Sequence, residues 1–111
     1  MSAASDLRTT LAPTGLPVAQ NDYTGTEAAY ITFNFSTVPD LYGDNVPGYE
    51  RYLIQVHLIA PATQNTTALE SQIKTLLAAA DYTYPDTTEA SDDESERHVV
   101  FETETAVYVG G

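Results

Sequence analysis

Residues 30–60 constrain the fold most, because they have the alternation expected of two long β-strands. In each strand, every second side chain is apolar or aromatic. These side chains are Ile31, Phe33 and Phe35 in the first strand and Tyr52, Ile54, Val56 and Leu58 in the second. Successive side chains of a strand point to opposite faces, so this period of two indicates a half-buried sheet. We therefore predict antiparallel strands at 30–35 and 52–59.

The segment between these strands, residues 36–48, is predicted to be a wide loop, longer than the two to five residues of most hairpin loops. Gly43 and the neighbouring Asp-Asn pair favour turns, because these residues tolerate left-handed backbone. The loop also holds apolar residues, which pack either on a neighbouring subunit or on the loop's own sheet. The candidate subunit-interface residues are Leu41, Tyr42, Asp44, Asn45, Val46 and Tyr49.

One amphipathic helix is predicted at 67–80. Thr67 and Glu70 have the spacing of a capping box, in which each side chain binds a free backbone amide of the first turn. One apolar stripe recurs at helical spacing and is suited to packing on a sheet. Its members are Leu69, Ile73, Leu76, Leu77 and Ala80.

The other elements complete an α+β pattern. They are a short helix at 3–11, a strand at 16–20, a strand that begins at 82–84, an acidic hairpin tip at 86–96, and a last strand at 99–109. The order is thus helix, three strands, helix, two strands. It predicts a mostly antiparallel sheet of four to five strands, with the main helix and the short N-terminal helix on one face. Residues 1–111 are expected to form a single domain.

The charge balance is strongly acidic, with 16 acidic and four basic residues and a net charge of −12. Tight binding to duplex DNA is therefore not expected, since such affinity comes from Lys and Arg displacing counterions. The acidity is consistent with simple solubility, or with a role in keeping nucleic acid from adhering. Cysteine is absent, which excludes disulfides and thiolate chemistry. No apolar run and no N-terminal pattern predicts a membrane span or a secretory signal.

Motifs for catalysis or metal binding are also absent from the sequence. His57 and His98 both fall on predicted strands without the spacing of a zinc motif. If they share one sheet surface, they are expected to titrate near neutral pH. A calcium loop starting at Asp40 fails, because its closing position falls on Arg51. We therefore expect no catalytic residue, no cofactor, no metal and no enzyme activity.

The sequence resembles the small tail-completion proteins of long-tailed bacterial viruses, the tail terminator or head-to-tail joining group. The segments that carry the resemblance are Leu16-Pro17-Val18, Ala29-Tyr30-Ile31-Thr32-Phe33, Tyr42-Gly43-Asp44-Asn45, Tyr52-Leu53-Ile54-Gln55-Val56-His57-Leu58, the helix at 69–80 with Asp81-Tyr82-Thr83, and His98-Val99-Val100-Phe101. They span almost the whole chain.

The resemblance implies a non-enzymatic structural protein of the virion, assembled in the host cytoplasm. It implies a ring of identical subunits, typically a hexamer, that caps the tail tube protein and joins it to the head connector proteins. Duplex DNA would pass through this ring without specific binding. Two alternatives remain open from the residues alone. One is a small acidic protein-binding module, such as a DNA mimic or inhibitor, and the other is a small enzyme with an unrecognised carboxylate site.

Overall fold

Two helices and five strands make up the fold, as given by a computed structural model that describes residues 3–42, 46–91 and 95–108. The elements in chain order are helix α1 (Ala3–Leu11), a 3₁₀ turn (Ala12–Thr14), strands β1 (Val18–Gln20), β2 (Tyr30–Tyr42) and β3 (Val46–Pro61), helix α2 (Thr67–Ala79), and strands β4 (Asp86–Glu89) and β5 (Glu96–Tyr108). Within the described ranges, no helix has the length and apolar character needed to cross a membrane.

The five strands form one sheet in the order β1-β2-β3-β5-β4. Strand β1 runs parallel to β2, and every other neighbouring pair is antiparallel. The predicted class, α+β with a mostly antiparallel sheet, is therefore confirmed. The predicted order along the chain, helix, three strands, helix and two strands, is confirmed as well.

The core lies between the two helices and one face of the sheet. Leu7 and Leu11 of α1 and Ile73 and Leu77 of α2 are fully buried there. They pack against the alternate side chains that the sequence placed on one face, namely Ile31, Phe33, Ile54, Val56, Leu58, Val99 and Phe101. Each fully buried aliphatic side chain contributes about 1.5–3 kcal/mol relative to its exposed state. The apolar face predicted from the alternation is thus the face of the sheet on which the helices pack.

The prediction of a wide loop at 36–48 is wrong, because both strands continue through this segment. Strands β2 and β3 stay paired from Ser36 with Leu53 to Tyr42 with Val46. Pro39 lies within this stretch of β2. Proline is tolerated on an edge strand, and β2 is an edge beyond Phe33, where its pairing with β1 ends. A bulge after Asp40 accommodates the extra residue of β3 in this stretch.

Helix α2 begins at Thr67, as predicted, but the residue that caps it differs from the prediction by one position. The cap residue is Thr66, whose hydroxyl donates to the Glu70 carboxylate at 2.6 Å, while the Thr67 amide donates to the Asn65 side chain at 3.0 Å. The predicted capping box between Thr67 and Glu70 is therefore wrong. At the other end of α2, Asp81 takes the left-handed conformation (φ 70°) that more often falls to glycine.

The region after α2 also differs in part from the prediction. Residues 82–84 are not a strand, although the Thr83 amide donates to the Glu104 carbonyl at 2.9 Å and holds this segment beside β5. Strand β4 begins at Asp86 and pairs with β5, so four residues assigned to a hairpin tip belong to the sheet. The rest of that acidic tip includes residues 92–94, which lie outside the described residues.

Tyr82 ties α1 to the connection between α2 and β4. Its ring is buried in the core and its hydroxyl donates to the Asp6 carboxylate at 2.6 Å. Burial, and then the hydrogen bond to Asp6, raise the pKa of the Tyr82 phenol, so the hydroxyl stays protonated and remains a donor.

We expect Tyr82→Phe to lower the free energy of unfolding by about 1.5 kcal/mol, the typical value of a hydrogen bond to a charged group. Tyr84→Phe is the matched control, because Tyr84 is 67% exposed and should change stability by less than about 0.5 kcal/mol. Urea unfolding followed by circular dichroism measures both. Equal stability of the two variants would contradict the role assigned to Tyr82.

Candidate functional site

Three strands extend beyond the core and form a projection that we call the arm, residues 36–42 of β2, 46–53 of β3 and 104–108 of β5. The pairing of β3 with β5 continues to Tyr49 and Tyr108, whereas the last buried core side chains on these strands are Ile54 and Thr103. The molecule measures 54 × 24 × 23 Å, and its radius of gyration is 15.4 Å. A compact chain of this length has about 13 Å, so the arm makes the subunit elongated.

The arm has an exposed apolar pair on its helix-free face. Val38 and Leu53 are 37% and 38% exposed. They occupy diagonal positions of neighbouring strands, because Leu53 pairs with Ser36, two residues before Val38. Diagonal neighbours on one face are within reach of each other. The pair therefore presents a small apolar patch outside the core.

Arg51 and Glu104 form an ion pair on the same face of the arm, with 3.8 Å between their charged atoms. Both side chains are about two-fifths exposed, so the pair contributes at most about 1 kcal/mol.

At the base of the arm, the rings of Phe35 and Tyr52 lie 5.6 Å apart and close the end of the core. Hydrogen-bonded strand pairing thus continues where apolar burial ends.

The first part of β2 lies in a stretch of the chain without charged side chains. Residues 28–39 carry no charged side chain, although the whole chain has 20 such residues. Beyond Phe33, β2 has a strand partner on one side only, namely β3. An unpaired edge is a template for a further strand. The arm therefore combines an available edge with an uncharged stretch of β2, residues 36–39, although its other residues include Asp40, Glu50, Arg51 and Glu104.

Four of the six predicted interface residues, Leu41, Tyr42, Val46 and Tyr49, fall within the strands of the arm. Leu41 pairs with Pro47 and Tyr42 pairs with Val46, so these positions face each other across β2 and β3. Tyr49 pairs with Asp40 in the same ribbon. Asp44 and Asn45 lie outside the described residues. At Leu41, Tyr42 and Val46 the predicted loop is strand, and the interface role of the six residues stays a prediction.

The helix-free face of the sheet brings His57 and His98 together. Their strands are neighbours, and Ile59 pairs with His98, which places the two histidines diagonally on one face. His57 Nδ1 and His98 Nε2 lie 2.8 Å apart, and the ring centroids are 5.0 Å apart. The Asn34 amide nitrogen lies 3.3 Å from His57 Nε2. The expectation that both histidines share one surface is confirmed.

The two rings line an open cavity of about 400 Å³ on this face. Its wall includes Tyr23 and Tyr30, whose rings stack with centroids 4.6 Å apart. The other lining residues are Asn21, Asp22, Thr32, Asn34, Ile59 and Glu96. Burial, and then the nearby His98, lower the pKa of His57 below its usual 6.5. His57 therefore takes up a proton less readily than an isolated imidazole.

A second, larger groove of about 590 Å³ lies further along the sheet towards the arm. It is lined by Asp86, Glu102 and Glu104 together with Leu53 and Tyr84. Asp86 and Glu102 are directly paired across β4 and β5, so their carboxylates lie on the same face. Across the part of the chain that the structure describes, no group of three or more acidic, histidine or cysteine side chains has a metal-binding arrangement.

Comparison with known proteins identifies the fold but not a family. No family model and no curated protein matches the sequence. Solved structures do match, in 21 chains. One of them, a protein whose name describes no function, has a TM-score of 0.62 and 16% sequence identity, over 98% of this chain and 93% of that chain. A likeness at this identity shows a shared fold alone.

The lowered pKa of His57 predicts a pH dependence of stability. The unfolded chain binds a proton at His57 near pH 6.5, and the folded chain does so only at lower pH. This contribution to the free energy of unfolding is therefore complete above pH 6.5 and is lost as the pH falls from 6.5 through the folded pKa. The slope for one proton is at most about 1.4 kcal/mol per pH unit.

We expect His57→Gln to flatten the pH profile of stability between pH 7 and pH 5 relative to the wild type. His98→Gln should flatten it partly, because it removes the second cause of the lowered pKa. Urea unfolding at each pH gives the three profiles, and the carboxylates titrate alike in all of them. Superimposable profiles for wild type and His57→Gln would rule out the proposed protonation linkage.

Proposed function

We propose that this protein is a tail-completion protein of a long-tailed virus, a ring-forming structural subunit that caps the tail tube and joins it to the head connector. The observation that carries the proposal is the arm, a three-stranded projection in which β2 has an available edge beside an uncharged stretch of an acidic chain. The segment-by-segment resemblance of the sequence to tail terminators agrees with it. In this role the protein catalyses no reaction, and its geometry performs the function.

A closed ring requires two different surfaces on each subunit, one meeting the other on the next copy. The arm supplies the first, with the apolar pair Val38 and Leu53 beside the free edge of β2. Copies that each carry a net charge of −12 repel one another, so contact is least costly where charged side chains are missing. The uncharged stretch 28–39 meets that requirement.

The acidity fits the passage of DNA through the ring. Six copies carry six times −12, or −72 formal charges. A channel of like charge disfavours adhesion of the phosphate backbone, so the genome slides through it. A ring whose lumen is lined mainly by Arg and Lys would contradict this part of the proposal.

The acidic groove favours one competing function, a protein module that imitates nucleic acid. Asp86, Glu102 and Glu104 place several carboxylates along one sheet face, as a mimic of a phosphate backbone would. Such a module would bind a basic partner with strong salt dependence. Val38 does not line this groove, so Val38→Asp would leave this binding intact, and the next experiment separates the two functions.

We expect Leu53→Asp and Val38→Asp to abolish function in virus assembly while the subunit stays folded. Each adds a charge to the apolar pair of the arm, outside the buried core. Ala68→Asp is the matched control, because it adds the same charge at an exposed position of α2. The assay is complementation of a virus lacking this chain, scored by infectious titre and electron microscopy, with thermal unfolding as the check on folding.

Without the chain, or with either arm variant, particles should show tails of abnormal length or tails detached from heads. Wild type and Ala68→Asp should restore joined particles. Normal particles from a virus lacking the chain would refute the proposed function. Full complementation by both arm variants would refute the arm as the assembly surface.

A further inference from the structure

We propose that His57 and His98 form a two-ligand site for a divalent transition-metal ion such as Zn²⁺, Ni²⁺ or Cu²⁺ on the helix-free face of the sheet. The inference is independent of the role in virus assembly, since it uses neither the arm nor an assembled ring. It starts from the direct juxtaposition of two imidazole nitrogens that belong to neighbouring strands, β3 and β5.

The separation of the two nitrogens suits a bridging cation after a small adjustment. His57 Nδ1 and His98 Nε2 are 2.8 Å apart. Two nitrogens bound at about 2.0–2.1 Å to one tetrahedral metal ion lie about 3.3 Å apart. A shift of about 0.5 Å is within reach of modest side-chain rotation at two half-buried rings. The strands need not move, because both side chains already point to the same place.

The present hydrogen bonds show how the metal-bound form would be supported. With the Asn34 amide donating to His57 Nε2, the proton of His57 sits on Nδ1 and points at His98 Nε2. Metal binding needs that proton on Nε2, where the Asn34 carbonyl oxygen can accept it after the amide rotates. A metal-bound histidine usually donates its other N–H to such an acceptor. The proton moves within the ring, so no net charge is gained or lost by the neutral pair.

The electrostatic surroundings favour a cation. Asp22 and Glu96 line the same cavity as the two rings, and the net charge of −12 raises the concentration of cations near the surface. Glu96 precedes His98 by two residues on β5 and therefore lies on the same face. Because the described residues provide no cluster of three protein ligands, water fills the remaining coordination positions.

The ligand chemistry determines which ions bind. Imidazole prefers Cu²⁺, Ni²⁺ and Zn²⁺, whereas Mg²⁺ and Ca²⁺ prefer oxygen ligands. Selection of the first group over Mg²⁺ therefore separates a histidine site from general attraction to 16 carboxylates. Protons compete for the same nitrogens, so affinity must fall as the pH drops below the usual histidine range.

The test is titration of the full chain with NiCl₂, ZnCl₂ and MgCl₂ by isothermal calorimetry at pH 7.5 and pH 5.5. The variants are His57→Gln and His98→Gln. The matched control is Asp22→Asn, which changes another residue that lines the same cavity. We expect one Ni²⁺ or Zn²⁺ per chain at pH 7.5 and affinity at least about tenfold weaker in each histidine variant, since each removes one of two ligands. Asp22→Asn should weaken binding less than either.

A second readout is the thermal midpoint, which Ni²⁺ or Zn²⁺ should raise in the wild type and not in the histidine variants. This readout also confirms that each variant is folded. Equal affinity of wild type and both histidine variants, or equal binding of Mg²⁺ and Ni²⁺, would overturn the proposal. Retention of full affinity at pH 5.5 would overturn it as well, because the ligands would then not be imidazoles.

Discussion

Burial of one sheet face under two helices is the interaction on which the rest of the structure depends. Helix α2 has 13 residues and spans about 20 Å, whereas β3 has 16 residues and spans about 50 Å. Among the described side chains of β3, the buried ones run only from Ile54 to Ala60, so the core covers less than half of the longest strand. Everything distinctive about the surface follows from this mismatch: the core ends near Ile54 and Phe35, and the strands that continue past it become the arm.

Beyond the core, the sheet is held by backbone pairing and small side-chain contacts. A third strand, β5, stays paired with β3 as far as Tyr49, and three strands are more stable than an isolated hairpin. The Arg51–Glu104 pair adds little at its exposure. Val38 and Leu53 of the arm thus remain partly uncovered by the chain itself, which is the condition under which a neighbouring molecule gains most by covering them.

The sequence predicts the elements whose apolar side chains recur with the period of a strand or a helix. It does not predict features that depend on which strands pair in the folded sheet. The alternation of Ile31 and Phe33 and the stripe through Ile73 and Leu77 identified both faces of the core. The extension of β2 through Pro39 could not be read locally, because an edge position makes that proline tolerable and the edge exists only once β1 has ended. The cap of α2 shifted to Thr66 because Asn65 also competes for its first amides.

The histidine pair shows the same limit at the level of a site. His57 and His98 are 41 residues apart in sequence, and alternation assigns each to a face without saying which residues meet. The register of β3 with β5 decides that, and a slip of one residue would send one ring into the core. Because the same register continues from Ile59–His98 to Tyr49–Tyr108, an ion bound by both rings would link the two strands that carry the arm, and would restrain their pairing from the opposite end of the sheet.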